Sequence, residues 1–147
     1  MLSSKRSQKQ KSFKEKRHRQ VAALCYRFND DTLEVLLIKT RGRGRWIVPK
    51  GWPMSRCKHS KAALIEAFEE AGVKGTVTSE PVGSFTYRKE KLDCEAKAYP
   101  VKVTCLKKRF PEKATRTRKW VSRERAARLV EEPSLKRLIR TFEPAAC

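Results

Sequence analysis

Three carboxylates in the middle of the chain have a spacing that could support metal-ion chemistry. Glu66, Glu69 and Glu70 are related as i, i+3 and i+4, so on a helix they fall within one sector about 100° wide. Like charges on one face repel unless solvent, a base or a cation lies between them, and hard carboxylate oxygens suit magnesium or manganese. On geometry alone, an acidic helix face is more often only a solvated face.

Basic residues near these carboxylates could bind phosphate groups. Arg41, Arg43 and Arg45 alternate with glycines in the loop that precedes them, and the arginine fork binds phosphate in a bidentate manner. Further lysines and arginines could complete a site for a very anionic ligand: Lys50, Arg88, Lys89 and Lys91. The alternative is a flexible loop whose arginines face water.

Aromatic residues offer a second kind of contact, because Trp46, Trp52 and Tyr87 could stack on a base as single-stranded nucleic-acid sites do. Trp46 opens an apolar strand and is predicted to belong to the core instead.

The glutamates require a helix, and the local sequence predicts one over residues 60–71. Ser60 is a suitable N-cap, the interior is rich in alanine, and Gly72 stands where a helix terminator belongs. The buried face would lie opposite the glutamates and consist of Leu64, Ala67, Phe68 and Ala71.

Segments rich in β-forming residues surround this helix. A hairpin is predicted from residues 21–28 and 33–38, with its turn at Asn29–Asp31. Pro49 and Pro53 disfavour a helix, so the residues between these two prolines are predicted to form an ordered loop. Further strands are predicted at 46–49, 75–79, 82–88, 96–106 and 120–121, and further helices at 123–130 and 133–142.

The charge distribution divides the chain. The net charge is +20, and the first twenty residues hold eight Lys or Arg against the single acid Glu15, which leaves +13 for the remaining 127 residues. We interpret residues 1–19 as a disordered basic tail and residues 20–147 as one domain. Such a body is expected to bind anions, and the tail could add salt-sensitive affinity for nucleic acid. The alternative is a generically basic, solvated surface.

Cysteine usage favours a reducing, cytoplasmic setting. The five cysteines are an odd set without a CxxC pair, and no secretory leader is recognisable. Cys25 and Cys105 lie inside apolar runs, so both are predicted to be small buried hydrophobes. No apolar run approaches the roughly 20 residues needed to span a membrane. The oligomeric state is not indicated.

The arrangement around the glutamates resembles the Nudix box, G-x5-E-x7-R-E-U-x-E-E-x-G-U, where U is a bulky aliphatic residue. Six positions match in place over the box: Gly51, Glu66, Glu69, Glu70, Gly72 and Val73. Cys57 stands where the first Glu is expected, Ile65 where the Arg is expected, and Ala67 is smaller than the usual aliphatic. Outside the box, segments 70–75, 82–85, 88–91 and 118–121 resemble the diphosphoinositol polyphosphate phosphohydrolase branch, so the resemblance covers roughly residues 20–142.

This resemblance implies a fold and an activity. The fold would be an α+β Nudix-like α/β/α sandwich, with a mixed sheet between the Nudix helix and the C-terminal helices. The activity would be magnesium-dependent, or manganese-dependent, cleavage of a diphosphate linkage in an anionic small molecule. Diphosphoinositol polyphosphates and dinucleoside polyphosphates both remain open as the substrate. Glu66 and Glu70, with the Lys50 carbonyl, would bind the metal, and Glu69 would be the general base.

The two departures from the box leave a second interpretation open, a non-catalytic or weakly active Nudix domain that binds RNA or polyphosphate. In the family, the box arginine is thought to help orient the glutamates. Its absence at Ile65 predicts either slow turnover or another base in its place, such as Lys50 or Arg56. The three retained glutamates favour the enzyme.

Overall fold

The computed structural model describes residues 18–40, 42 and 44–144. Eight strands form one mixed sheet: β1 (His18–Asn29), β2 (Thr32–Lys39), β3 (Trp46–Ile47), β4 (Lys50–Gly51), β5 (Val73–Val77), β6 (Gly83–Lys89), β7 (Leu92–Leu106) and β8 (Arg118–Ser122). Three α-helices accompany it: α1 (His59–Ala71), α2 (Arg123–Leu129) and α3 (Pro133–Thr141). None of the helices in these described residues is long and apolar enough to cross a membrane.

Strand β1 is the centre of the sheet. It pairs in parallel with β7 and antiparallel with β2, and the path runs β3-β2-β1-β7-β5, with β6 added on β7 and β8 on β2. The first half of β1 also pairs with β4, where Val21 faces Gly51 and Ala22 faces Lys50. This pairing fixes Lys50 and Gly51 against the middle of the sheet.

The side chains of β1 alternate between two cores, as the two-residue period of a strand requires. Val21, Ala23 and Cys25 belong to the core beneath α1, whereas Ala22 and Leu24 belong to the core beneath α2 and α3. Helices therefore cover both faces of the sheet, and the α/β/α sandwich with a mixed sheet is confirmed.

Helix α1 departs from the prediction at its start. It begins at His59 with the extended residue Lys58 as its N-cap, whose carbonyl accepts the Ala62 N–H at 2.9 Å. The predicted Ser60 cap is wrong, because Ser60 lies inside the first turn and is buried. Gly72 ends the helix with a left-handed φ of 68°, as the sequence predicts.

The buried face of α1 is also rotated from the predicted one. Ala67 and Ala71 are buried as expected, but Leu64 and Phe68 are only half-buried. The other buried side chains are Ser60, Ala62, Ala63 and Glu70. Because alanines dominate this face, the helix lies close to the sheet, and the rotation carries one of the three glutamates inward.

The structure confirms the predicted burial of one cysteine and contradicts that of the other. Cys25 is fully buried as predicted, but Cys105 is exposed, since it lies on the outer part of β7 next to Lys74 of β5.

Strand β7 begins at Leu92, four residues before the predicted start, because a tight turn with positive φ at Glu90 and Lys91 joins it to β6. Of the predicted tail, only His18 and Arg19 lie among the described residues, and both belong to β1.

Candidate active site

Glu70 is a buried carboxylate at the junction of α1 with the sheet, with 3% of its surface exposed. The Lys50 N–H in β4 donates to its Oε2 at 3.1 Å, and the Arg116 Nη2 donates to its Oε1 at 3.3 Å. Two elements distant in sequence therefore fix the orientation of this carboxylate.

Glu66 lies one turn earlier on α1 and packs against the main chain of β4. A Cβ atom at Gly51 would overlap the Glu66 carboxylate, so only glycine leaves room for this contact. This explains the glycine at the start of the matched motif in steric terms, without any need for a special backbone conformation.

The Glu66 and Glu70 carboxyl groups are in hydrogen-bonding contact, and each affects the ionisation of the other. Burial, reinforced by this contact, raises the pKa of Glu70 to about 9. Burial also raises the pKa of Glu66; the hydrogen bond with Glu70 opposes this change, and the neighbouring charges of Glu69 and Glu112 add to it. Two carboxyl groups in one site share a proton when no cation lies between them.

Arg116 and Glu112 join this site, although neither is among the site residues that the sequence predicts. The Arg116 side chain is 14% exposed, and its Nε donates to Glu112 Oε1 at 3.1 Å while its Nη2 contacts Glu70. Its Nη1 also donates to the Lys39 carbonyl at 3.4 Å. The only signal in the sequence is an acid and a base at i and i+4, inside a loop segment where many basic residues make one arginine hard to single out.

A basic cleft of about 760 Å³ opens beside these residues. It is lined by Thr40, Arg45, Ile47, Lys50, Tyr87, Arg88, Lys89, Glu90 and Arg116. Four predicted substrate-binding residues, Arg45, Lys50, Arg88 and Lys89, are therefore brought together, while Arg41 and Arg43 lie outside the described residues. The volume is in the range of about 300–1,000 Å³ typical of small-molecule sites.

An adjoining cleft of about 440 Å³ continues past the glutamates. Lys50, Tyr87, Lys89 and Arg116 line both parts. The second part adds Gln20, Gly51, Trp52, Pro53, Met54, Glu66 and Glu70. The Glu66–Glu70 pair thus lies on the wall of the second part, next to the boundary with the basic part.

Several cations in the cleft already have partners. Arg45 contacts Glu131 at 3.2 Å and Glu132 at 3.8 Å, and Arg88 contacts Asp93 at 3.5 Å near the surface. The Lys50 Nζ lies over the Tyr87 ring at 4.6 Å. Burial lowers the pKa of Lys50, while the nearby Glu70 opposes that change.

Glu69 and the two departures from the motif, Cys57 and Ile65, are not among the residues that line either part of the cleft. Glu69 is half-buried and its carbonyl accepts the Glu112 N–H at 3.0 Å. Cys57 is half-buried, packs against the core beneath α1 and directs its Sγ to the Lys58 carbonyl at 3.5 Å. Arg56, one of the two bases expected to orient the glutamates, is exposed. Arg116 makes the contact expected of that base.

The donors at this site suit a hard divalent cation. Among residues 18–40, 42 and 44–144, no three side chains of His, Cys, Asp or Glu form a ready metal cluster. Glu66 and Glu70 supply two carboxylates in contact, and their raised pKa values reflect repulsion and burial that a cation would relieve. The remaining donors would have to be main-chain oxygens or water, as is usual for magnesium.

Comparison with known proteins gives a consistent match. The model of the NUDIX domain family matches residues 18–142. The chain is 30% identical over 118 residues to Nudix hydrolase 12, mitochondrial, of Arabidopsis thaliana, which covers 75% of this chain and 58% of the relative. It is 29% identical over 115 residues to diphosphoinositol polyphosphate phosphohydrolase 3-beta of Bos taurus, covering 77% of this chain and 69% of the relative.

Among solved structures, C. elegans Ap4A hydrolase superposes with a TM-score of 0.69 at 20% identity, covering 84% of this chain and 94% of that one. This likeness concerns the fold. The chain spans only 58% of the length of the plant relative.

Proposed function

Because the chain belongs to the NUDIX domain family, we propose that it is a magnesium-dependent pyrophosphohydrolase that cleaves a diphosphate linkage in a highly phosphorylated small molecule. One curated relative is named for diphosphoinositol polyphosphate and the solved neighbour for Ap4A, and we keep both substrate classes within the proposal.

One observation carries this proposal: the basic cleft adjoins the Glu66–Glu70 pair. Lys50, Lys89 and Arg116 line both the basic part and the part that contains the two carboxylates. A phosphate chain bound by these cations would therefore place one of its linkages beside the two carboxylates. Cations that could bind the substrate therefore lie next to carboxylates that could bind a metal ion, which is the arrangement needed for metal-assisted hydrolysis of an anionic substrate.

Glu66 and Glu70 would hold the magnesium ion, together with the Lys50 carbonyl. The N–H and C=O of one residue in an extended strand point to the same edge, and the Lys50 N–H reaches Glu70, so its carbonyl faces the same side. A divalent ion held here would offset the charge of the diphosphate and lower the pKa of the attacking water. Manganese has similar preferences and is expected to substitute.

Glu69 is the proposed general base. It would accept one proton from the attacking water as the water oxygen bonds to phosphorus. The bridging P–O bond then breaks, and its electron pair leaves with the second phosphate, so two phosphorylated products form. Glu69 is close enough to Glu66 to raise the pKa of that carboxyl, which supports a place at the edge of the same site.

Arg116 is the proposed positioning residue in place of the box arginine. It bridges Glu70 and Glu112, and Ile65 stands at the position where the family has its arginine. A buried arginine with two carboxylate partners restricts the rotamers of both.

A substrate panel tests the proposal. Diadenosine tetraphosphate, a diphosphoinositol pentakisphosphate, capped RNA and nucleoside triphosphates would each be incubated with magnesium and with manganese. We expect turnover of at least one of the first two, and about a 100-fold lower kcat for Glu69→Gln, the order of effect of losing a general base. The proposal is wrong if no substrate is hydrolysed at high enzyme concentration. A Glu69→Gln variant with full kcat would remove Glu69 from the mechanism only.

The alternative is a weakly active or non-catalytic domain that binds RNA or polyphosphate, and Cys57 and Ile65 are the observations in its favour. The double variant Cys57→Glu, Ile65→Arg separates the two. A gain in kcat of about 100-fold, the order of a single positioned catalytic group, would identify the natural site as crippled. We expect no such gain, because Arg116 already contacts Glu70.

We also retain a reducing, cytoplasmic compartment in the proposal. The four described cysteines, Cys25, Cys57, Cys94 and Cys105, are all free thiols, which is usual in such a compartment. Fractionation of cells that produce the protein would test it.

A further inference from the structure

The last turn of α1 ends against the segment that joins β7 to β8, residues 107–117. The last four carbonyls of an α-helix receive no N–H from within the helix. Here the Glu112 N–H donates to the Glu69 carbonyl at 3.0 Å, and the Arg118 Nη1 donates to the Ala71 carbonyl at 2.8 Å. The joining segment and the residue that follows it therefore cap the helix that carries the glutamates.

Arg118, the first residue of β8, also connects the two ends of this segment. Its Nη1 donates to the Lys107 carbonyl at 2.9 Å, and its guanidinium lies over the Phe110 ring at 4.8 Å. The Lys107 N–H in turn donates to the Gly72 carbonyl at 2.8 Å. One side chain thus joins both ends of the segment to the C-terminal end of α1, where the helix dipole favours a cation.

Gly72 shows how closely these groups meet. A Cβ atom at this position would lie 2.7 Å from Phe110 Cδ1, 2.8 Å from the Lys107 carbonyl oxygen and 2.9 Å from Arg118 Nη1. These distances are well inside the 3.5–4.0 Å or so of ordinary carbon contacts. The junction has no space for a side chain, so the segment is held in one position relative to α1.

The same segment carries the two residues that reach the carboxylate site. Arg116 contacts Glu70 at 3.3 Å and Glu112 at 3.1 Å, and it precedes Arg118 by two positions. Arg118 is not among the residues that line either part of the cleft. Its influence on a reaction in the cleft would therefore pass through the position of Arg116.

We propose that Arg118 is a positioning residue, which anchors residues 107–117 to the C-terminal end of α1 and thereby holds Arg116 against Glu70. The inference rests on the proposed function for its catalytic consequence, whereas the anchor itself does not depend on a substrate. Without the guanidinium, the main-chain bonds of the segment to α1 remain, but its two ends are no longer joined. Arg116 then loses its single position beside Glu70.

A double-variant cycle separates positioning from a general effect on the fold. Arg118→Met keeps the apolar stem and removes the donors, and we expect kcat on the best substrate of the panel to fall about tenfold, as for the loss of a partner that orients a ligand. When Arg116 is already alanine, the same change should alter kcat by less than about twofold, because the residue it positions is gone. Arg109→Met, an exposed arginine of the same segment, is the matched control and should leave kcat unchanged.

Amide hydrogen exchange, followed by NMR, tests the anchor without any substrate. The Lys107 and Glu112 N–H groups bond to carbonyls at the end of α1, so both should exchange about tenfold faster in Arg118→Met through local opening. Amides of the central strand β1 should keep their rates. Phe110→Leu removes the ring beneath the guanidinium and should speed the same two amides by a smaller factor. It carries the test if Arg118→Met does not fold.

The anchor is overturned if Lys107 and Glu112 exchange at the same rate in the variant as in the unchanged protein. The positioning role is overturned if Arg118→Met has full kcat, or if it lowers kcat by the same factor with and without Arg116. Failure of the proposed function is a different result, namely no hydrolysis by the unchanged protein while exchange is still faster in Arg118→Met.

Discussion

At the scale of single residues, the arginine that contacts the glutamates comes from a different part of the chain than the motif predicts. Ile65 on α1 stands where the family pattern has an arginine, and Arg116, just before β8, contacts Glu70. A function carried by one side chain can be taken over by another when both reach the same atoms. If Arg116 positions Glu70 as we propose, the family pattern alone would underestimate the activity of this site.

Relocation of the arginine leads to a rescue prediction. Arg116→Ala should lower kcat about 10- to 100-fold, the usual effect of losing a partner that orients a ligand, with a smaller change in KM. Adding Ile65→Arg to Arg116→Ala should restore part of kcat. Lys113→Ala, an exposed change in the same segment, serves as the control in steady-state assays. A kcat for the double variant no higher than for Arg116→Ala would contradict relocation.

The Glu70 carboxyl predicts how stability depends on pH in metal-free protein. Its pKa is raised to about 9 in the folded state, so above the ordinary carboxyl pKa the folded state binds a proton that the unfolded state has lost. The free energy of unfolding should therefore fall as pH rises from about 5 to 9, by at most about 1.4 kcal/mol per pH unit. Urea denaturation in a chelator would measure it.

The Glu70→Gln variant has no ionisable group at this position, so its free energy of unfolding should fall less steeply over the same pH range. Glu69→Gln, a half-buried neighbour, is the matched control and should keep the slope of the unchanged protein. Equal slopes for all three proteins would contradict the raised pKa. Added magnesium should flatten the dependence, because a cation favours the ionised carboxyl.

At the scale of elements, the site depends on how closely β4 lies against α1. Gly51 in β4 contacts the Glu66 carboxylate, and Lys50 in β4 contacts Glu70. Two residues of one very short strand therefore position two side chains of the helix. Pairing of β4 with the central strand β1 holds this arrangement in place.

Gly51→Ala should lower the activity of the protein more than it lowers the stability of the fold. The added methyl group overlaps the Glu66 carboxylate, so we expect Glu66 to be displaced and kcat to fall about tenfold or more, since displacement of reacting groups by about 1 Å can cost about 100-fold. Ser55→Ala, in the exposed loop that follows, is the control. Thermal unfolding alongside the assay would show whether the loss of activity exceeds the loss of stability.

Local spacing predicts the elements well and the contacts between them poorly. The glutamates and Gly72 indicate α1 because helical periodicity and termination are set within a few residues. The inward rotation that buries Glu70 depends on the alanine-rich face meeting the sheet, and the Arg116–Glu70 contact joins residues 46 positions apart. Neither follows from a local pattern. Gln20 likewise gains its place in the cleft only through the pairing of β1 with β4.

At the scale of the whole molecule, the basic N-terminal segment adds a prediction about nucleic acid. Removal of residues 1–17, which leaves β1 complete from His18, takes away seven Lys or Arg and one Glu. We expect RNA to bind more weakly and with a smaller salt dependence, because fewer counterions are released. Filter binding at several salt concentrations would measure this. An unchanged slope would exclude a role for the segment in RNA binding.

His18, which directly follows the basic segment of residues 1–17, contacts Trp52 edge-on. This contact fixes the point where the basic residues join the fold at the rim of the cleft. A polyanion bound by those residues would therefore be held at the rim of the cleft, at a higher effective concentration than in free solution. Even weak, non-specific attraction would then favour long anionic substrates over short ones without any added contact inside the cleft.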